Sequence, residues 1–186
     1  MTIENNTPHK KPNRRILSYI NDLPNVCSLI GLGCTLLAIY FLLIGIYPAA
    51  MIGMIWAVAF DWADGLIARR MKGRILTDQK FGGQLDLLID VVSYGVTPAI
   101  LIMSFSNFNI AFLPVIFAML VFGVMRLSYF STFGLTDDAT YTGLAIYNNS
   151  IILVFIFMFS EYFESSPFAF ILAVSSLCLA VVNVSQ

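Results

Sequence analysis

Asp61-Trp62-Ala63-Asp64-Gly65-Leu66-Ile67-Ala68-Arg69 closes one apolar run, and Gly82-Gly83-Gln84-Leu85-Asp86-Leu87-Leu88-Ile89-Asp90 opens the next. Asp61, Asp64, Gly65 and Ala68 stand at i, i+3, i+4 and i+7, which is one face of a helix, and Arg69 lies close to that face. Gly82, Asp86 and Asp90 stand at i, i+4 and i+8, again one face. Two helices joined by a short connection pack antiparallel. Their adjoining halves bring four carboxylates into one pocket.

The surroundings decide what such a pocket means. The 186 residues are 59% hydrophobic, and only 11% are charged. A soluble domain carries about 25% charged residues. Mean hydropathy is +0.84, so the chain reads as an all-α integral membrane protein of one domain. A span takes about 20 apolar residues. Six runs qualify, near Val26–Ile46, Ala49–Arg69, Gly82–Met103, Ile110–Phe130, Gly143–Phe159 and Pro167–Val184. The second and third are the least apolar because each carries two aspartates.

Six transmembrane helices account for the charges. Lys10, Lys11, Arg14 and Arg15 precede the first span. Arg69, Arg70, Lys72, Arg74 and Lys80 lie at or between the ends of spans two and three, and Arg126 lies near the end of span four. With six spans all ten Lys and Arg fall toward one side, which should be cytoplasmic. The opposite loops carry Glu161 and Glu164. Both termini are then cytoplasmic. Residues 1–12 read as a polar, disordered tail, and 13–186 as the membrane domain, with spans over 26–184. Residues 13–23 read as a short amphipathic helix in the membrane interface, apolar at Ile16, Tyr19, Ile20 and Leu23, and broken by Pro24. No cleavable signal peptide, internal repeat or low-complexity tract stands out. Net charge is −1, which gives no pull toward nucleic acid. Cys27, Cys34 and Cys178 fall in apolar runs and lack zinc-site spacing.

An aspartate at the centre of a membrane helix costs roughly 2.5–3.5 kcal/mol on insertion scales. Four of them together also repel one another, and bound cations relieve both costs. Hard oxygen ligands favour Mg²⁺, Mn²⁺ or Ca²⁺ over zinc. His9, the single histidine, sits in the polar tail. Gly65, Ala68 and Gly82 are small and leave room beside the carboxylates.

The eight-residue pattern Asp61-x-x-Asp64-Gly65-x-x-Ala68-Arg69 with Gly82-x-x-x-Asp86-x-x-x-Asp90 resembles the signature of the CDP-alcohol phosphatidyltransferases. The Pro24-Asn25 entry to the first span is similar too. That resemblance implies six membrane helices, a CDP-linked lipid donor such as CDP-diacylglycerol, an alcohol acceptor, release of CMP and a homodimer in membrane lipid. It implies two ions, Mg²⁺ or Mn²⁺, on Asp61, Asp64, Asp86 and Asp90, with Asp90 as general base. It implies that Arg69 contacts the donor phosphate, that Gly65, Ala68 and Gly82 make room for the cytidine, and that Asp64 serves both metal and nucleotide. One departure is the connection of twelve residues between Arg69 and Gly82, longer than the family usually has.

For the acceptor, Asp90-Val91-Val92-Ser93-Tyr94-Gly95-Val96-Thr97-Pro98-Ala99 resembles the phosphatidylserine synthase branch, which tends to read D-x-x-S-F-G-x-x-P-A. Arg126-Leu127-Ser128-Tyr129-Phe130 is similar to its R-L-A-R-F, with Tyr129 where a second basic residue stands. Tyr141-Thr142-Gly143-Leu144 is similar to its F-x-G-L-P, with Ala145 where the proline stands. These stretches imply serine as acceptor and an acceptor site that includes Arg126, Ser93 and Tyr129. Inositol phosphate, glycerol phosphate or an amino alcohol stay open as acceptors. A divalent-cation transporter is the alternative from another class, since intramembrane acids also mark ion paths. Arg69 beside the acids argues against it. An aspartate-rich prenyltransferase shares the chemistry but usually has a longer chain. The membrane expected is of the bacterial or archaeal inner-membrane type.

Overall fold

The computed structural model of the chain describes residues 15–133, 146–159 and 165–184. Among the described residues it is all-helical, without strands. A 3-10 turn, Ile16–Asn21, leads into α1 (Leu23–Leu43) and α2 (Tyr47–Arg70). Next come α3 (Leu76–Asp90), a wide π-helical stretch (Val91–Val96) and α4 (Thr97–Phe105), which together form one continuous rod. A 3-10 turn, Ile110–Phe112, opens α5 (Leu113–Phe133), and α6 (Ile146–Phe157) and α7 (Ser165–Val184) follow.

Four helices are long and apolar enough to cross a membrane: Leu23–Leu43, Tyr47–Arg70, Leu76–Phe105 and Ile110–Thr132. They coincide with the first four expected spans. Phe168–Val182 is a shorter apolar helix at the expected sixth span. The fifth expected span begins at Gly143, outside the described residues, and continues as α6. The polar tail over 1–12, the Tyr141–Leu144 motif, and Glu161 and Glu164 also lie outside them.

Local chemistry sets the turns. α1 ends in a paired closure, with Gly45 N–H donating to Leu42 O at 3.2 Å and Ile46 N–H to Phe41 O at 2.9 Å. That closure needs a left-handed residue, and Gly45 supplies it at φ +78°. Pro48 then sits in the first turn of α2, where its missing N–H costs nothing. Pro24 does the same for α1. It therefore both stops the preceding turn and starts the first long helix. That preceding turn is 3-10, and Tyr19 faces inward while Ile16, Leu17 and Ile20 are exposed.

α1 packs most extensively on α2 through small residues. Gly53 lies against Ala38 and the Cys34 carbonyl, and Gly31 against Phe60 and the Ala57 carbonyl. Without a hydrophobic drive inside lipid, such close backbone approach is what holds helices together. The central core gathers Leu42, Met54, Leu101, Ile102, Leu153 and Leu172. One end is plugged by rings: Tyr47, Phe157 and Phe168 each lie with centroids 5.3–5.4 Å from Phe105. The carboxylates lie at the other end, more than three turns along α2 from Tyr47.

Candidate active site

α2 and α3 run antiparallel from the basic connection at 71–75, and their facing sides carry the acids. One carboxylate oxygen from each of Asp61, Asp86 and Asp90 lies within 4.8 Å of the others. All three are half-buried. Asp64 stands outside this trio. It is 5% exposed and accepts a hydrogen bond from the Ser28 hydroxyl on α1.

Two further groups complete the pocket. Tyr94 is 5% exposed and packs against Val58 and Leu127. It comes from the π-helical stretch that directly follows Asp90, and such wide turns recur at functional sites. Thr97 supports that stretch by donating its hydroxyl to Val92 O at 2.9 Å. Ser28 and Tyr94 were not among the expected site residues. The Tyr94 signal was present in the sequence, where a tyrosine stands at the resembled phenylalanine.

Whether cations fit here is answered by the donors. Three carboxylates converge, and among the described residues Asp90 Oδ1 is buried without a hydrogen-bond partner. A buried charged oxygen with no partner is costly. An all-oxygen set of this kind fits a hard divalent cation.

The other expected residues divide. Arg69 is exposed at the end of α2, with its guanidinium beside Gly65. Ala68 is half-buried on the same face. A Cβ on Gly82 would stand 2.9 Å from both Asn25 Oδ1 and Arg74 Nη2, so that space is already filled. Ser93 is buried and shares a 2.7 Å hydrogen bond with Thr35 on α1. Arg126 is half-buried, with its guanidinium over the Phe130 ring at 5.6 Å, and Tyr129 is exposed.

A helical membrane protein with an acidic cluster drawn from two helices has the donors that cation-assisted phosphoryl transfer uses. The CDP-alcohol phosphatidyltransferase family model matches residues 21–182, and the chain belongs to that family. It is 35% identical to the archaetidylserine synthase of Methanothermobacter thermautotrophicus over 175 residues, which is 91% of this chain and 72% of that one. It is 30% identical to the CDP-diacylglycerol–serine O-phosphatidyltransferase of Methanocaldococcus jannaschii, covering 69% of this chain and 71% of that one. The enzyme of the same description from Bacillus subtilis is 29% identical, covering 60% of this chain and 62% of that one. The chain is therefore a phosphatidyltransferase and not a cation transporter. It is an integral membrane protein of phospholipid synthesis.

Proposed function

We propose that the chain transfers a phosphatidyl-type group from a CDP-linked lipid such as CDP-diacylglycerol to the hydroxyl of L-serine, releasing CMP. The meeting of Asp61, Asp86 and Asp90 carries this reading. The serine choice draws on two similar proteins named for serine and one named for archaetidylserine. Inositol phosphate, glycerol phosphate or an amino alcohol are the acceptors the assay below must exclude.

Phosphoryl transfer needs positioning and charge neutralisation more than covalent help from the protein. Asp61, Asp64, Asp86 and Asp90 would hold two divalent ions, Mg²⁺ or Mn²⁺. Bound there, the ions would neutralise the diphosphate and the leaving phosphate. Asp64 is held by the Ser28 hydroxyl, so its carboxylate is oriented beforehand. Asp90 takes the proton from the serine hydroxyl as that oxygen attacks the lipid-side phosphorus. Arg69 contacts donor phosphate. Gly65 and Ala68 line the nucleotide, whereas the space at Gly82 is taken by Asn25 and Arg74; Asp64 reaches both ion and nucleotide. Arg126, Ser93 and Tyr129 form the acceptor side, with Arg126 toward the serine carboxylate.

The remaining architecture follows the same reading. Six spans put the acidic end and both termini in the cytoplasm, in a bacterial or archaeal-type inner membrane. Residues 13–23 lie in the interface, 1–12 form a disordered tail, and two copies form a dimer. The test is purified protein with labelled CDP-diacylglycerol, Mn²⁺ or Mg²⁺, and a panel of alcohols. CMP release that requires both a divalent ion and serine is expected. Release with another alcohol but not serine would overturn the acceptor, and no release with any would overturn the donor.

A further inference from the structure

One buried ion pair stands outside the chemistry above. Arg74 belongs to the long connection between α2 and α3. Its Nη2 and Nε lie 2.5 and 3.0 Å from Asp22 Oδ2, just before α1. Nη2 also reaches the Asp78 carbonyl at 3.5 Å, and the Arg74 carbonyl accepts from Gln79 Nε2 at 3.1 Å. The two side chains are only 9% and 14% exposed. Pairs at the surface contribute little, but a pair this enclosed strands a charge when one member is lost.

Neighbouring contacts tighten the same joint. Tyr19 stacks on Phe81 with centroids 4.3 Å apart. Asn25, fully buried, donates to the Tyr19 carbonyl at 2.9 Å. Gly82 lets both Asn25 and Arg74 approach its backbone, as no larger residue could. The start of α3 is thus fastened to the start of α1 from two sides. One and two turns further along the same face of α3 stand Asp86 and Asp90.

We propose that Arg74 is a positioning residue. Paired with Asp22 across Gly82, it fixes the height and rotation of α3, so that Asp86 and Asp90 meet Asp61. The longer connection exists to deliver this guanidinium. The inference rests on the reading that these aspartates hold divalent cations.

The test uses full-length protein in detergent. Mn²⁺ binding without substrate is followed by electron paramagnetic resonance, and the Mn²⁺ concentration for half-maximal CMP release is measured in parallel. Loss of groups that orient metal ligands typically weakens metal affinity about 10–100-fold. Arg74→Ala is expected to raise both Mn²⁺ values by about tenfold, at the low end of that range. The double variant Asp22→Arg/Arg74→Asp is expected to recover most of the loss. A merely structural role would lower the folded fraction and leave both Mn²⁺ values where they are. Should Arg74→Ala fail to fold, Arg74→Lys carries the same test, since it keeps the charge but loses the fork. A rise in its Mn²⁺ values supports the clamp. Unchanged values in an enzyme whose wild type binds Mn²⁺ and releases CMP overturn the clamp alone. A wild type that neither binds Mn²⁺ nor releases CMP overturns the functional reading instead.

Discussion

Among the described residues, Asp90 Oδ1 is buried with no hydrogen-bond partner. Its neighbours Asp61 and Asp86 are acceptors as well. Substitution by Asn keeps the volume and removes one basic oxygen. Asp90→Asn should therefore lower CMP release by about 10²–10⁴-fold, the usual share of a general base. CMP binding, measured by equilibrium dialysis, should survive in part because Arg69 and Asp64 are untouched. Turnover at the wild-type rate would remove the base assignment. The aspartates themselves were legible from spacing, since i+3 and i+4 steps fix a helix face whatever the tertiary fold. Ser28 was not, because its partner Asp64 is 36 residues away and on another helix. Nor does spacing reveal that Asp64 turns toward α1 while Asp61 turns toward α3. That division depends on how three helices pack, and only geometry supplies it.

Two elements depart from plain apolar runs. The third expected span, read as one helix over Gly82–Met103, contains the wide turn at Val91–Val96, which no hydropathy window detects. Pro98 offers a local cause, since it brings no N–H to the turn before it. The α1–α2 pair is the other case, and it is testable. A Cβ on Gly53 would lie 3.0 Å from Ala38 Cβ and 3.1 Å from the Cys34 carbonyl. Branched bulk there must push α1 off α2 and pull Ser28 from Asp64. Gly53→Val should destabilise the folded protein by about 1–3 kcal/mol, as overpacking does. The same substitution class at Gly33, where a Cβ would meet nothing within 4 Å, is the control. Thermal unfolding in detergent should separate Gly53→Val from Gly33→Val. Equal melting temperatures for the two would mean that α1 and α2 are not held by this contact.

At the scale of the whole chain, charge and length together determine orientation. The rod Leu76–Phe105 has 30 residues, or about 45 Å at 1.5 Å per residue. That exceeds the roughly 30 Å hydrocarbon core, so its two ends must emerge on opposite sides. Lys72 precedes one end, among Arg69, Arg70, Arg74 and Lys80. Asn107 follows the other end, in a left-handed turn at φ 52° that short polar residues tolerate. Both are exposed. The first four spans were legible because each is a long apolar run bounded by charge or a turn. The fifth and sixth rest on apolar composition, with α6 and α7 described over 12 and 20 residues. The basic cluster predicts a cytoplasmic Lys72 end, since Lys and Arg are retained on that side. With Cys27, Cys34 and Cys178 replaced by Ala, a membrane-impermeant maleimide should label Asn107→Cys in intact cells. Lys72→Cys should react only after the membrane is opened. The reverse pattern would put the carboxylates on the outer face, away from cytoplasmic CDP-linked donors, and would contradict the orientation on which the proposed reaction depends.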